Sequence, residues 1–168
     1  MYHLLTSFAK WLQDTWFAQS ILTSSWAFPY VQMTHFTGLS LWVGTNVLLD
    51  LRLLGIGKKR QTVAELRDAL FLWNWIGCGI AILGGFLLFS LSATTYVRNS
   101  AFRVKLGVLI PLGLLLHIAN QWKSRTWSQS EDTPAIAKLA GLVEIVLWIC
   151  VATAGVLIPS YFAPGDVG

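Results

Sequence analysis

The chain has 168 residues, of which 55% are hydrophobic and only 12% are charged, and its mean hydropathy is +0.59. A soluble domain carries about 25% charged residues, so this composition indicates an integral membrane protein. The formal net charge of +4 at pH 7 is modest, and no Lys/Arg patch is interleaved with aromatic residues. That pattern argues against nucleic acid as a partner.

An amphipathic segment opens the chain over about residues 3–22. Its apolar side chains recur at steps of three and four residues, which is the period of an α-helix with one apolar face. These side chains are Leu5, Phe8, Leu12 and Trp16. The pattern predicts one helix that lies in the membrane interface.

Four apolar runs follow, each near or above the roughly 20 residues that a helical membrane span needs. The predicted spans cover about residues 28–52, 69–93, 102–122 and 136–159. Pro111 predicts a kink inside the third span, and Pro159 closes the fourth. The sequence therefore predicts an all-α membrane protein with a single domain, residues 1–168. It is a bundle of four transmembrane helices preceded by the interfacial helix.

The basic residues are unevenly divided between the two sides of the predicted bundle. Eight lie on the side of the first and third loops: Arg52, Lys58, Lys59, Arg60, Arg67, Lys123, Arg125 and Lys138. Four lie on the other side: Lys10, Arg98, Arg103 and Lys105. Positive charge favours the cytoplasmic side. We therefore expect a multi-pass protein of a bacterial inner membrane with both termini in the periplasm.

Four polar residues, one from each predicted span, share a depth in the membrane. Asn46, Asn74, His117 and Glu144 each lie six residues from a charged residue at the inner end of their span. At the helical rise, that distance is about 9 Å. His117 and Glu144 come from consecutive antiparallel spans, so the sequence predicts that they pair. The layer is either a functional site or a set of hydrogen bonds that specifies helix packing.

Two further residues lie about one turn below this layer, Asp50 and Asn120. We expect Asp50 and Arg52 at the water boundary, where an arginine side chain can extend toward water. There they would fix the inner end of the first span. Cys78 and Cys150 fall inside apolar runs, and we expect both as buried thiols without a metal or disulfide role.

His35 lies in the outer part of the predicted membrane, about 25 Å from the inner boundary and about 16 Å from the depth of His117. One haem held by both histidines is therefore disfavoured. His35 is a candidate sole axial ligand of a tetrapyrrole, or a histidine hydrogen-bonded at a helix contact. Arg103 and Lys105 lie near its depth and are candidates to hold a propionate, a quinone oxygen or an anionic lipid headgroup.

Three short motifs resemble those of a family of small bacterial four-helix integral-membrane proteins of unassigned function. They are His-x-x-Gly from His35, Asp-Leu-Arg-Leu-Leu-Gly from Asp50, and Phe-x-x-Lys from Phe102, in a resemblance that covers roughly residues 26–123. More remotely, the histidine-bearing segment is similar to helices of copper-resistance D and cytochrome b561-like proteins. That likeness implies haem b or copper as a ligand, although the chain has no Met-rich or Cys/His-rich tract for copper.

Three hypotheses of function follow. The first is a non-catalytic subunit of a larger membrane complex for electron transfer or photosynthesis, which binds a haem, a chlorophyll-type pigment or a quinone at His35 or His117. The second is a small oligomeric transporter or proton conductor that uses the layer of Glu, His and Asn. The third is a structural assembly subunit. An enzyme is the least favoured, because the chain has no recognisable catalytic motif.

Overall fold

The computed structural model describes residues 2–57, 61–127 and 133–158, and this part of the chain is helical with no strand. The elements in chain order are α1 (Tyr2–Gln13), α2 (Trp16–Thr23), α3 (Ala27–Leu53), α4 (Val63–Leu91), α5 (Ala93–Arg98), α6 (Ser100–Val104), a π-helical turn (Lys105–Leu109), α7 (Ile110–Trp127) and α8 (Ala135–Leu157). The helix α6, the π-helical turn and α7 form one continuous helix, Ser100–Trp127.

Three of these helices are long and apolar enough to cross a membrane: Val63–Leu91, Ser100–Trp127 and Ala135–Leu157. The helix α3 has 27 residues, which is long enough, but its polar side chains keep it out of this set. The chain is therefore an all-helical protein with helices suited to a membrane, as its composition predicts.

The N-terminal segment forms two helices, which corrects the prediction of one helix over 3–22. The chain breaks at Thr15, which has an extended backbone (φ −65°, ψ 148°) and a hydroxyl that donates to the carbonyl of Leu12 at 2.6 Å. A threonine hydroxyl that bonds the backbone locally competes with helical hydrogen bonding. Leu12 is buried with Ala9 against Ala93, so α1 is held to the end of α4 and the start of α5.

The helix α4 begins at Val63, earlier than the predicted start of the second span at residue 69. Thr62 and Glu65 form a capping box, in which each side chain accepts from the backbone N–H of the other residue. Such a box satisfies two of the N–H groups that a helix start leaves unpaired. The helix therefore extends through the polar end of the loop. Lys58, Lys59 and Arg60, which contribute to the predicted orientation, lie outside the described residues.

Pro111 predicts a kink in the third span, and the structure shows a π-helical turn, Lys105–Leu109, that ends two residues before the proline. Proline lacks an N–H and crowds the preceding turn, so the helix before it must change its hydrogen bonding. The helix then continues to Trp127, five residues past the predicted end at 122. The fourth predicted span corresponds to α8, and its predicted end at Pro159 lies outside the described residues.

Glycines set the close contact between α3 and α4. A Cβ at Gly38 would lie 2.5 Å from the backbone nitrogen of Ala81, and a Cβ at Gly77 would lie 2.6 Å from the nitrogen of Trp42. Only a residue without a side chain permits this approach at both positions. The two helices therefore meet backbone to backbone, and this contact fixes the residues that α3 and α4 turn toward the bundle interior.

The interior of the bundle contains an apolar cluster around Trp42 and Trp148, whose ring centroids lie 4.7 Å apart. Large apolar side chains also cover much of the outer surface, for example Leu72, Ile82, Leu115 and Ile149. An apolar exterior of this extent is typical of a surface that contacts lipid or other membrane subunits. The polar side chains are instead concentrated inside, next to the tryptophan cluster.

Candidate functional site

The structure brings all four residues of the predicted polar layer into one buried hydrogen-bonded network. His117 of α7 and Glu144 of α8 are each 1% exposed, and Nδ1 of His117 lies 2.6 Å from Oε1 of Glu144. Because a carboxylate can only accept, Nδ1 carries a proton and donates it. The bond fixes the orientation of the imidazole ring between the two helices.

Asn74 of α4 joins the layer to α3. Its amide nitrogen donates to Oδ1 of Asn46 and, at 2.8 Å, to the hydroxyl oxygen of Thr45. Its amide oxygen lies 2.9 Å from Nε2 of His117 and accepts from the amide of Gln121 at 3.2 Å. Asn74 is therefore the link through which α3, α4 and α7 share one polar contact.

The second ring nitrogen of His117 faces both a donor and an acceptor. Nε2 lies 2.9 Å from the amide oxygen of Asn74 and 2.7 Å from the amide nitrogen of Gln121. A neutral imidazole accepts from Gln121 through Nε2, whereas an imidazolium donates to Asn74 through the same atom. Both protonation states of His117 therefore find a partner without movement of the ring.

Two amide atoms in this network have no hydrogen-bond partner among the described residues, Nδ2 of Asn46 and Oε1 of Gln121. Half-turns of the Asn46, Asn74 and Gln121 amides would exchange each nitrogen with its oxygen. Nδ2 of Asn46 would then meet Oδ1 of Asn74, and Oε1 of Gln121 would meet both Nδ2 of Asn74 and Nε2 of His117. In both amide orders Nε2 of His117 therefore faces one donor and one acceptor.

Glu144 accepts three hydrogen bonds. Besides the bond from His117, its Oε1 accepts from the indole N–H of Trp148 at 3.2 Å, and its Oε2 accepts from the amide of Asn120 at 2.5 Å. Three donors from α7 and α8 therefore converge on one carboxyl group and hold it in place in the bundle interior.

Asp50 lies in the interior, and the expectation of an Asp50 at the water boundary is wrong. Its side chain is 1% exposed, because Gly141 lets α8 pass directly over it. A Cβ at Gly141 would lie 3.0 Å from the carbonyl oxygen of Asp50. Arg52 lies toward the loop, where its guanidinium donates to the carbonyl of Gln61 at 2.9 and 3.0 Å.

His35 lies apart from this network, in the other half of α3. Its Nδ1–H donates to the backbone carbonyl of Ala81 at 2.8 Å, and its ring lies against Gly85, where a Cβ would be 3.0 Å from Cε1. The side chain is half-buried, and Nε2 has no hydrogen-bond partner within residues 2–57, 61–127 and 133–158. A histidine oriented through Nδ1–H in this way presents the Nε2 lone pair to a ligand.

Lys105 lies near His35, whereas Arg103 is exposed. The Lys105 ammonium interacts electrostatically with the His35 ring, and a Cβ at Gly155 would lie 2.6 Å from its Nζ. Lys105 is half-buried, because the π-helical turn directs it across the face of α8. Next to it, a cleft of about 260 Å³ opens between α6 and α8; it is lined by Ser100, Ala101, Val104, Ala154 and Leu157.

The sequence analysis did not assign several residues of the network. Gln121 follows His117 by one helical turn, so the i+4 spacing is the signal that indicates its position. Trp148 has the same relation to Glu144. Thr45 belongs to the network because its hydroxyl turns back to the carbonyls of Leu41 and Trp42, which leaves its oxygen as an acceptor for Asn74. Nothing in the sequence indicates that orientation.

Within the described part of the chain, no group of three or more His, Cys, Asp and Glu side chains is arranged to hold a metal ion. Comparison of the chain with protein-family models, with curated proteins and with solved structures gives no match.

Proposed function

We propose that this chain is a non-catalytic, four-span membrane subunit that binds a planar tetrapyrrole, haem b or a chlorophyll-type pigment, through Nε2 of His35. The observation that carries the proposal is the hydrogen bond from Nδ1–H of His35 to the carbonyl of Ala81. It fixes the ring and leaves the other nitrogen as a free base. Membrane-embedded histidines that ligate a metal are held in this manner.

His117 does not offer the same chemistry. Both of its nitrogens are engaged inside the bundle, and the side chain is 1% exposed. An axial bond to His117 would break the network at its centre. The two histidines therefore have different roles, and only His35 fits the axial position of a tetrapyrrole.

The surroundings of His35 suit the remaining parts of such a ligand. Gly84 and Gly85 let the backbone and the imidazole of His35 lie directly against α4, and the ring of Phe36 lies 6.0 Å from the imidazole centroid. Lys105 supplies a positive charge for an acidic side group such as a propionate. When bound, haem would supply one-electron chemistry, or a pigment would supply light absorption. The protein would provide orientation and shielding from water.

The proposal includes α3 as a fourth span. Its 27 residues give a length of about 40 Å at the helical rise, enough to cross a hydrocarbon core of about 30 Å. It packs along α4, a candidate span, through the close contact at Gly38. The distribution of Lys and Arg then supports a bacterial inner membrane with both termini in the periplasm. The apolar exterior supports contacts with lipid and with other subunits of an electron-transfer or photosynthetic complex.

The absorption spectrum of the protein purified from its native membrane tests this proposal. We expect a Soret band, or a red pigment band, in the wild-type protein. His35→Ala should abolish this band. His117→Ala should fold and retain the band. His3→Ala is the matched control, because His3 is exposed and lies outside the bundle. A colourless wild-type protein, or a pigment content unchanged by His35→Ala, would overturn the proposal.

A further inference from the structure

Asp50 is the buried ionisable group whose charge the fold leaves uncompensated. Its side chain is 1% exposed, and neither carboxyl oxygen has a hydrogen-bond partner among the described residues. An isolated carboxylate in an apolar interior costs several kcal/mol even after the surroundings relax. Asp50 therefore needs either a nearby cation or a proton.

Basic side chains on α3 and α4 do not supply the cation. On the helix of Asp50 itself, Arg52 donates to the carbonyl of Gln61. On α4, Arg67 pairs with Asp68. Both guanidinium groups therefore already have partners on the loop side of the bundle.

The helices α7 and α8 supply no free cation either. On α7, His117 donates its Nδ1–H to Glu144, Arg125 pairs with Asp68, and Lys123 is exposed. On α8, Lys138 is exposed, and the group that faces Asp50 is another acid, Glu144. Among the described residues, the immediate titratable neighbour of Asp50 thus has the same sign of charge.

The carboxyl groups of Asp50 and Glu144 interact across the contact that Gly141 opens between α3 and α8. If both groups are carboxylates, neither can donate a hydrogen bond to the other. Accordingly, neither carboxyl oxygen of Asp50 has a hydrogen-bond partner among the described residues. Glu144 already accepts from His117, Trp148 and Asn120. One lone-pair site of this carboxylate, on Oε2, therefore remains for an O–H donor.

We propose that Asp50 is a proton-binding site, and that its carboxylic acid donates to the carboxylate of Glu144 in the native protein. The pair is continuous with the imidazole of His117 through Glu144. A proton that leaves Asp50 for Glu144 makes a new O–H bond there and leaves an anion on Asp50. Because Nδ1 of His117 already carries a proton, the imidazole does not take this one, and the proton is shared between the two carboxyl groups.

Infrared spectroscopy of the full chain in detergent or lipid nanodiscs tests the proposal. A buried carboxylic acid has a C=O stretch that is separate from the carboxylate bands and shifts to lower frequency in D2O. We expect this band in the wild-type protein near neutral pH and its loss in Asp50→Asn. Asp14→Asn is the matched control, because Asp14 is exposed, and it should leave the band unchanged. No band in the wild type, or a band that survives Asp50→Asn, would overturn the proposal.

Asp50→Asn should fold, because its amide can donate to Glu144 in place of the acid proton. If that variant fails to fold, Glu144→Gln decides the matter. The acid of Asp50 would then donate to an amide oxygen, a weaker acceptor, so the band should move to higher frequency. A band that does not move in Glu144→Gln contradicts the shared proton.

The pH dependence of stability gives a second, independent readout. A native state that holds a proton which the unfolded chain loses becomes less stable as pH rises. The melting temperature of the wild type should therefore fall from mildly acidic to alkaline buffer, and that fall should be smaller in Asp50→Asn. Equal slopes in the two proteins would count against the proposal. His35→Ala should change neither readout, so this inference and the tetrapyrrole site can fail separately.

Discussion

His35 and His117 show how one residue type acquires two roles from its hydrogen-bond partners. A backbone carbonyl accepts from one nitrogen of His35, and the other nitrogen has no hydrogen-bond partner among the described residues. A carboxylate and two amides surround His117, so neither of its nitrogens is free. The partner atoms, rather than the membrane depth alone, decide which histidine can ligate.

The position of the His35 ring can be tested through Gly85. A Cβ at Gly85 would lie 3.0 Å from Cε1 and 3.3 Å from Nδ1 of the imidazole, so Gly85→Ala should displace the ring from its bond to Ala81. Loss of a ligand's orienting partner typically weakens metal binding by about 10- to 100-fold. We expect a loss of that size in tetrapyrrole affinity, measured by titration of the stripped protein.

Gly79→Ala is the control for this substitution. Gly79 lies on the same helix, and a Cβ there would meet nothing within 4 Å. Its tetrapyrrole affinity should match the wild type. An equal loss of affinity in both variants would show that the effect is a general one on α4 rather than on the His35 ring.

Removal of the carboxylate at the centre of the polar network should be costly. Glu144→Ala leaves the donors on His117, Trp148 and Asn120 without an acceptor in a dry interior. Loss of one partner of a buried polar pair costs about 3–5 kcal/mol. We expect a fall of that order in the free energy of unfolding in detergent.

The exposed acid Asp14 provides the comparison for Glu144. Asp14→Ala should lie within about 0.5 kcal/mol of the wild type, as is usual for surface positions. A Glu144→Ala protein as stable as Asp14→Ala would mean that the network contributes little to the fold.

Among the elements, α3 and α4 depend on glycine for their contact. Gly38→Ala and Gly77→Ala place a Cβ within 2.6 Å of backbone atoms of the facing helix, and backbone cannot rotate away as a side chain can. Overpacking costs about 1–3 kcal/mol, and each variant should reach the upper part of that range. Thermal unfolding monitored by circular dichroism measures the loss.

Gly44→Ala is the matched variant on α3, because a Cβ at Gly44 would meet nothing within 4 Å. Alanine is favoured over glycine inside a helix by up to about 1 kcal/mol, so this variant should be as stable as the wild type or slightly more stable. If Gly38→Ala behaved like Gly44→Ala, the backbone contact between α3 and α4 would not exist as described.

The whole molecule places apolar side chains outside and polar side chains inside. In the most apolar stretch of the helix Ser100–Trp127, only 11% of the residues are buried within the chain. In the corresponding stretch of α8, 22% are buried. Surfaces so apolar and so open need lipid or a protein partner around them. The exterior of the molecule is therefore compatible with a membrane protein.

Labelling from the two sides of the membrane tests whether α3 crosses it. In a background with Cys78→Ala and Cys150→Ala, Ser7→Cys should react with an impermeant maleimide in intact spheroplasts. Gln61→Cys should react only after lysis, because one span separates the two positions. Thr133→Cys should behave like Gln61→Cys, since the two helices between them return the chain to the same side. Reaction of Ser7→Cys and Gln61→Cys from one side would show that α3 does not span.

Several features of this protein can be predicted from the sequence because they depend on composition or on local period. The apolar runs with few charges predict helices suited to a membrane, and α4, Ser100–Trp127 and α8 are such helices. Pro111 predicts a kink, and in the structure a π-helical turn, Lys105–Leu109, precedes it. The constant rise per residue predicts that Asn46, Asn74, His117 and Glu144 lie at one level, and in the structure they belong to one hydrogen-bonded network.

The tertiary structure alone decides what those residues touch. Asp50 looks like a boundary residue in the sequence, and it is buried because Gly141, far along the chain, lets α8 cover it. The free nitrogen of His35 depends on a carbonyl in α4, and the engaged nitrogens of His117 depend on Asn74 and Glu144. Period and composition give the depth and face of a side chain. Its partners depend on how closely the helices approach and how they rotate, and glycines on the facing helices set that approach.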